Sequence, residues 1–214
     1  MADNTPNFLE LADLEPPLSW PELFGNDHPV ELEVGPGKGL FLASAGLRTP
    51  GHNFFGVELS RKYARLAAER VTKRRLANVR VAHGDARLCL NRYVQPASLH
   101  AVHVYFSDPW WKQRHRKRRV FTESFVADVI RALEPGGEFS IATDVEDYFR
   151  VICKLIQEHP ALLVQPAAET KPPEHDLDYL TNFERKYRIE GRPIFRAHFK
   201  LAEPGAGHAQ PITP

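Results

Sequence analysis

The chain has 214 residues, of which 43% are apolar, and a formal net charge of +1 from 28 Lys and Arg against 27 Asp and Glu. That length supports one sizeable core with extensions, and two cysteines exclude a disulfide-stapled scaffold. No run of about 18 apolar residues occurs and no basic start precedes an apolar stretch at the amino terminus, so we expect a soluble, cytoplasmic protein with no membrane partner.

The near-neutral total conceals a segregation of charge. Residues 1–37 hold eight acids and no Lys or Arg, whereas residues 38–119 hold eighteen Lys or Arg against four acids. Composition alone allows a set of solvated helix faces; a basic face that meets a polyanion is the alternative.

In chain order, residues 1–28 are acidic and contain several prolines, which reads as an arm laid over the domain or left mobile. Residues 29–34 predict a strand, 38–47 a helix, 53–57 a strand, and 61–75 a cationic amphipathic helix with Tyr63, Leu66, Ala67 and Val71 on its apolar side. Residues 78–82 predict a third strand, 86–93 a short helix and 99–106 an apolar fourth strand. A helix over 121–133 should stop at the breaker Glu134, Pro135, Gly136 and Gly137. A strand over 138–142, a helix over 145–157, weaker strands near 162–164 and 194–199, and a long surface loop at 171–178 follow. Residues 202–214, rich in Pro, Gly and Ala, predict a disordered tail, leaving 29–201 as the domain proper. Strands separated by helices call for an α/β fold: a mostly parallel seven-stranded sheet with helices on both faces. Cys89 and Cys153 lie in apolar-periodic stretches and read as buried free thiols, so no metal site is expected.

The first chemical motif is Glu33-Val34-Gly35-Pro36-Gly37-Lys38-Gly39, set where the first strand should turn into the first helix. Glycines at 35, 37 and 39 permit a tight turn and close approach to a ligand. Leu40 stands where a dinucleotide fingerprint needs a small residue, and no Gly-Lys-Ser/Thr follows for a P-loop, which leaves the turn of a nucleoside-binding methyltransferase. Glu58, nineteen residues after Gly39, can accept from both hydroxyls of a ribose. Asp85, after the third strand, can meet an adenine amino group, although helix N-capping suits it well too. Glu33 suits the ammonium of a methionine moiety, the alternative being an internal salt bridge.

The fourth strand ends in Asp108-Pro109-Trp110-Trp111, which in a parallel sheet lies beside the first strand and places Asp108 across the crevice from a transferable methyl group. Trp110 is either a packing wedge or a stacking surface. Asp144 is a second acid in the same crevice. Lys112, Arg114, Arg116, Lys117, Arg118 and Arg119 follow the tryptophans within eight residues. With His115 and the adjoining aromatics, and without an apolar helical face, this tract fits RNA phosphates better than a membrane surface.

These stretches, with Gly56-Val57-Glu58, Thr143-Asp144 and Thr181-Asn182-Phe183-Glu184, closely resemble the bacterial tRNA (guanine-N7)-methyltransferases over about residues 30–199, in five ordered motifs. The resemblance implies a Rossmann-like class I methyltransferase fold, S-adenosyl-L-methionine as cofactor and tRNA as partner, with a variable-loop guanosine as target. It implies that Glu33, Gly35, Gly37, Gly39, Glu58, Asp85 and Asp108 bind the cofactor, that Asp108 is also catalytic, and that Lys112, Asp144, Thr181, Asn182, Phe183 and Glu184 hold the substrate. Arg114, Arg116, Lys117, Arg118 and Arg119 would grip the RNA backbone. Trp111 stands where the family more usually has proline, a departure that bears on loop shape and not on chemistry. No motif calls for a protein partner. The alternatives are a methyltransferase acting on another RNA base and a non-catalytic RNA-binding module that keeps the fold; intact Glu33, Glu58, Asp85 and Asp108 weigh against the latter.

Overall fold

The computed structural model describes residues 5–109, 119–166 and 181–203. Its strands are Phe8–Glu10 (β1), Val30–Val34 (β2), Asn53–Glu58 (β3), Val79–His83 (β4), Leu99–Tyr105 (β5), Leu133–Thr143 (β6), Leu162–Gln165 (β7) and Phe195–Leu201 (β8). They form one sheet in the order β1-β4-β3-β2-β5-β6-β8-β7. All neighbours are parallel except β8, which runs antiparallel between β6 and β7. The helices are Trp20–Phe24 (α1), Leu40–Arg48 (α2), Arg61–Thr72 (α3), Ala86–Leu88 (α4, continued by a π-helical turn at Cys89–Tyr93), Glu123–Ala132 (α5), Glu146–Gln157 (α6) and Asn182–Ile189 (α7).

The α/β sheet with helices on both faces is as the alternating pattern predicts, but it has eight strands, not seven. The extra one is β1, whose three residues carry too little periodicity to stand out among prolines and acids. It is held by side-chain bonds as much as by its ladder: Asn7 Nδ2 donates to the carbonyls of Leu76 and Val79 at 2.9 and 2.8 Å, and Thr72 Oγ1 donates to Asn7 Oδ1 at 2.7 Å. Leu11, Leu18, Trp20 and Phe24, also upstream of β2, are buried in the core. The expected breaker at residues 134–137 also fails to interrupt: β6 runs through it, while the pairing with β5 jumps from Leu99↔Leu133 to Ala101↔Glu138, so the four residues form a bulge.

The strands sort their side chains by parity. On β3, Phe55 and Val57 join Trp20, Leu90, Phe125 and Tyr148 on one face, whereas Phe54 faces Phe41 and Leu42 of α2 and Ala64, Ala67, Ala68 and Val71 of α3 on the other. The buried stripe of α3 is thus offset from the predicted one. Ala67 and Val71 belong to it, but Tyr63 and Leu66 are 42% and 37% exposed, because three alanines bring the helix too close to the sheet for larger residues there.

The α2 face also carries a polar band. Glu31 accepts from His52 Nδ1 at 2.6 Å and His103 Nε2 at 2.7 Å; His103 Nδ1 then meets the Tyr105 hydroxyl at 2.9 Å. Tyr105 is bonded in turn to Ser140, whose Oγ lies 2.9 Å from His198 Nδ1. Burial alone would raise the Glu31 carboxyl, but the bonds and charges from His103 and His52 hold it below its ordinary value.

Candidate active site

The chain runs from β2 outward to β3 and β4, then crosses back to β5 on the other side of β2. Ligands of open α/β sheets lie at such a switch point, in the crevice beyond the carboxyl ends of the strands. Glu33 is the penultimate residue of β2 and the glycine turn follows it, Glu58 ends β3, Asp85 follows β4, Asp108 follows β5 and Asp144 follows β6. Topology therefore gathers every acid read from the sequence at strand ends on one sheet edge.

Glu33 is 2% exposed, and its Oε2 is buried without a hydrogen-bond partner among the described residues. Burial, with the charge of Glu58 added, pushes its carboxyl well above the ordinary carboxylate value. An internal salt bridge, the alternative reading of this residue, is absent among the described residues. A buried acceptor of this kind lacks a cationic donor, which an amino-acid ammonium supplies. Glu58 is pinned by two backbone donors, Gly37 N–H to Oε2 at 3.0 Å and Ser60 N–H to Oε1 at 2.8 Å. A carboxylate has about four lone-pair sites, so two are left for a diol.

Gly35 and Gly37 adopt left-handed φ of +70° and +54°, and a Cβ at either would meet nothing within 4 Å, so the turn opens onto space. Gly39 is different: at φ +68°, a Cβ there would sit 2.7 Å from Ala67 Cβ. The glycine lets the start of α2 lie directly on α3. Gly39→Ala should destabilise the fold by about 2–4 kcal/mol, from left-handed strain plus overpacking, measurable as a lower denaturation midpoint at unchanged slope.

Asp85 performs the capping role that suited it from sequence. Its Oδ1 accepts the Arg87 backbone N–H at 2.9 Å and its Oδ2 accepts from Arg87 Nη2 at 2.9 Å. Burial would raise its pKa, but these bonds lower it, so the group is held as a carboxylate. Asp108 is exposed. Two residues before it, Phe106 holds a left-handed φ of +54°, uncommon for an aromatic residue and a mark of functional strain. The Phe106 ring packs against Phe183 and Tyr187 of α7, with centroids 6.1 and 5.5 Å away. That contact brings the Thr181 to Glu184 segment to the β5 end, joining two motifs about 75 residues apart.

Within that segment, Thr181 Oγ1 accepts the Glu184 N–H at 3.0 Å and caps α7. Phe183 is 51% exposed, and Asn182 lies beside it at the start of α7. Glu184 is buried, with Oε1 accepting from Arg188 at 2.9 Å and Arg196 at 2.7 Å. Asp144 is paired with Arg192, whose guanidinium lies 4.1 Å over the Tyr187 ring. Phe106, Tyr187, Arg192 and Arg196 were not singled out from sequence. Only the Arg spacing after Glu184 hinted at a partner, since residues four apart meet on a helix.

Trp110, Trp111, Lys112, Arg114, His115, Arg116, Lys117 and Arg118 lie outside the described residues. Arg119, within them, donates from Nε to the Pro109 carbonyl at 2.7 Å and so closes the chain back on the Asp108 turn. Burial pushes the thiols of Cys89 and Cys153 up to about 12 and about 11, which removes them as nucleophiles. No helix among the described residues is long and apolar enough to cross a membrane.

A methyltransferase family model, described as "Putative methyltransferase", matches residues 27–197. A protein of Rhodopirellula baltica named tRNA (guanine-N(7)-)-methyltransferase is 44% identical over 194 residues, 88% of this chain and 72% of the relative. The chain belongs to the tRNA (guanine-N(7)-)-methyltransferase family. A Geobacter metallireducens protein of the same name is 33% identical across 95% of this chain and 96% of its own length. In fold, the chain is similar to the crystal structure of the 16S rRNA methyltransferase KamB, with a TM-score of 0.63 at 14% identity over 92% of this chain and 99% of that one. Methyltransferase family membership gives the crevice its cofactor, S-adenosylmethionine; the unpartnered Glu33 oxygen and the spare lone pairs of Glu58 suit an ammonium and a diol, and the glycine turn leaves room beside them.

Proposed function

We propose that this protein transfers a methyl group from S-adenosylmethionine to N7 of a guanosine in the variable loop of tRNA, in the cytoplasm. The observation that carries the reading is the Glu33 carboxyl, buried with Oε2 lacking a donor among the described residues at the end of the strand next to β5, in a chain of this family. S-adenosylmethionine, when bound, supplies an electrophilic methyl group on a sulfonium.

The chain's own residues have three tasks. Glu33 accepts from the cofactor ammonium, Glu58 from the ribose hydroxyls and Asp85 from the adenine amino group, while the left-handed glycines keep side chains out of the way. The second task is positioning, because guanine N7 has a lone pair and no proton and so needs no strong base. The aromatic contact of Phe106 with Phe183 and Tyr187 supports a fixed distance between Asp108 and the substrate segment. The third is charge: the purine becomes cationic as the new bond forms, and the Asp108 carboxylate stabilises it.

Carboxylates also select the base. Guanine offers N1 and exocyclic amino hydrogens to Asp108, Asp144 or Glu184, whereas adenine presents an unprotonated N1 that a carboxylate repels. Arg192 on Asp144, and Arg188 and Arg196 on Glu184, orient two of these groups.

The test is nucleoside analysis of tRNA incubated with protein and labelled cofactor, followed by mapping of the labelled position. Label in 7-methylguanosine supports the reading, and label only in another nucleoside overturns it. Replacing Arg116, Lys117, Arg118 and Arg119 with Ala should weaken tRNA binding and flatten its salt dependence by about three in slope, while cofactor affinity measured by calorimetry stays within about twofold.

A further inference from the structure

The cationic helix α3 is not needed by the chemistry above. Its buried stripe is alanine and valine, yet its outer side displays Arg61, Lys62, Tyr63, Leu66, Glu69 and, past its end, Lys73, Arg74 and Arg75, all exposed. Among the described residues Arg61 is paired with Glu10 at 2.7 Å, and no acid pairs with Lys62, Lys73, Arg74 or Arg75. Glu69 is the single acid between residues 61 and 75.

Two details set this face apart from an ordinary solvated one. Arg75 ends the helix at φ +55°, the left-handed position that glycine favours, with Leu76 N–H bonded back to the Val71 carbonyl at 3.2 Å. A cation thus stands where its own backbone conformation is unfavourable. Arg70 Nη1 is also buried without a hydrogen-bond partner among the described residues, one turn from Arg74, whose Nη1 donates to the Arg70 carbonyl at 3.0 Å. Like charges crowd at this end of the helix, where Glu69 is the one acid against Arg70, Lys73, Arg74 and Arg75.

We propose that the C-terminal turn of α3, through Lys73, Arg74 and Arg75, forms a second contact surface for the phosphate backbone of tRNA, away from the nucleotide that is methylated. The inference rests on the tRNA reading above. The N-terminus of α3 follows the Glu58 end of β3, and twelve helical residues rise about 18 Å, so the Lys73 to Arg75 turn lies at the opposite end from the crevice. A nucleotide in the crevice does not reach it, but a folded arm of the same RNA does. Polyanion charge complementarity selects RNA over a protein partner.

The test compares the parent with a triple variant, Lys73→Ala, Arg74→Ala and Arg75→Gly, on full-length tRNA and on a short stem-loop carrying only the target guanosine. Arg75→Gly relieves the left-handed strain, so the variant should melt no lower than the parent. The expected result is a Kd and KM for full-length tRNA raised about tenfold, a salt slope smaller by about two to three, kcat within about twofold and unchanged stem-loop affinity. Unchanged tRNA affinity and slope, or an equal loss on the stem-loop, would overturn it. If the parent binds tRNA but leaves no 7-methylguanosine, the functional reading fails, while the affinity comparison still decides the surface.

Discussion

Asp108→Asn is expected to lower kcat on tRNA by about 10²–10³ while changing tRNA affinity by no more than about threefold. The amide has nearly the shape of the acid and can still accept one hydrogen bond, but it carries no charge to set against the developing guanine cation. Because Asp108 is exposed and lies outside the apolar core, the substitution leaves folding intact. Single-turnover kinetics with saturating cofactor isolates the transfer step. A variant that methylates at the parent rate removes Asp108 from catalysis.

The second large effect is at Glu33, where one substitution should move two quantities in opposite directions. Glu33→Gln should weaken cofactor affinity roughly 10- to 100-fold, the loss of a charge-assisted bond. The same change should stabilise the ligand-free protein by about 1–2 kcal/mol as pH rises above the ordinary carboxylate value, because it removes a buried carboxyl that has no cation beside it when ionised. Its folded pKa is raised, so the folded state holds a proton that the unfolded chain releases. Stability is therefore fully present below the ordinary carboxylate pKa and lost as pH rises through the raised value. Melting curves of parent and variant with and without cofactor, between pH 5 and pH 8.5 or so, test this. The parent should lose ligand-free stability with rising pH and gain more from cofactor there, whereas the variant should be flatter in both. A variant that melts lower at pH 8 and binds cofactor normally would place Glu33 in the structural core alone.

Periodicity revealed most of the sheet because its strands and helices are long enough to repeat an apolar pattern. It missed β1, where an asparagine bonded to two carbonyls does what apolar repetition does elsewhere. It misplaced the inner stripe of α3 because it ranked Tyr63 and Leu66 above alanines, whereas the stripe that meets the sheet is three alanines and Val71. At the site, strand-end acids were legible because parallel topology sends every such end to one edge. The partners of those acids were not: the Arg192 pairing with Asp144 joins residues 48 apart. The left-handed backbone at Phe106 has no signature in residue type.

The polar band from His52 through Glu31, His103, Tyr105 and Ser140 to His198 has a consequence for how the sheet assembles. Central strands of mostly Val, Leu, Ile and Phe would tolerate being threaded in several alternative alignments, since any shift pairs grease with grease. A slip of one position on β2 or β5 would turn Glu31 or His103 into the opposite apolar layer and strand a polar group there without its partners, at a cost of several kcal/mol. Competing assemblies are thereby driven up in energy, and the strand ends that carry Glu33 and Asp108 are delivered level with each other each time the chain folds.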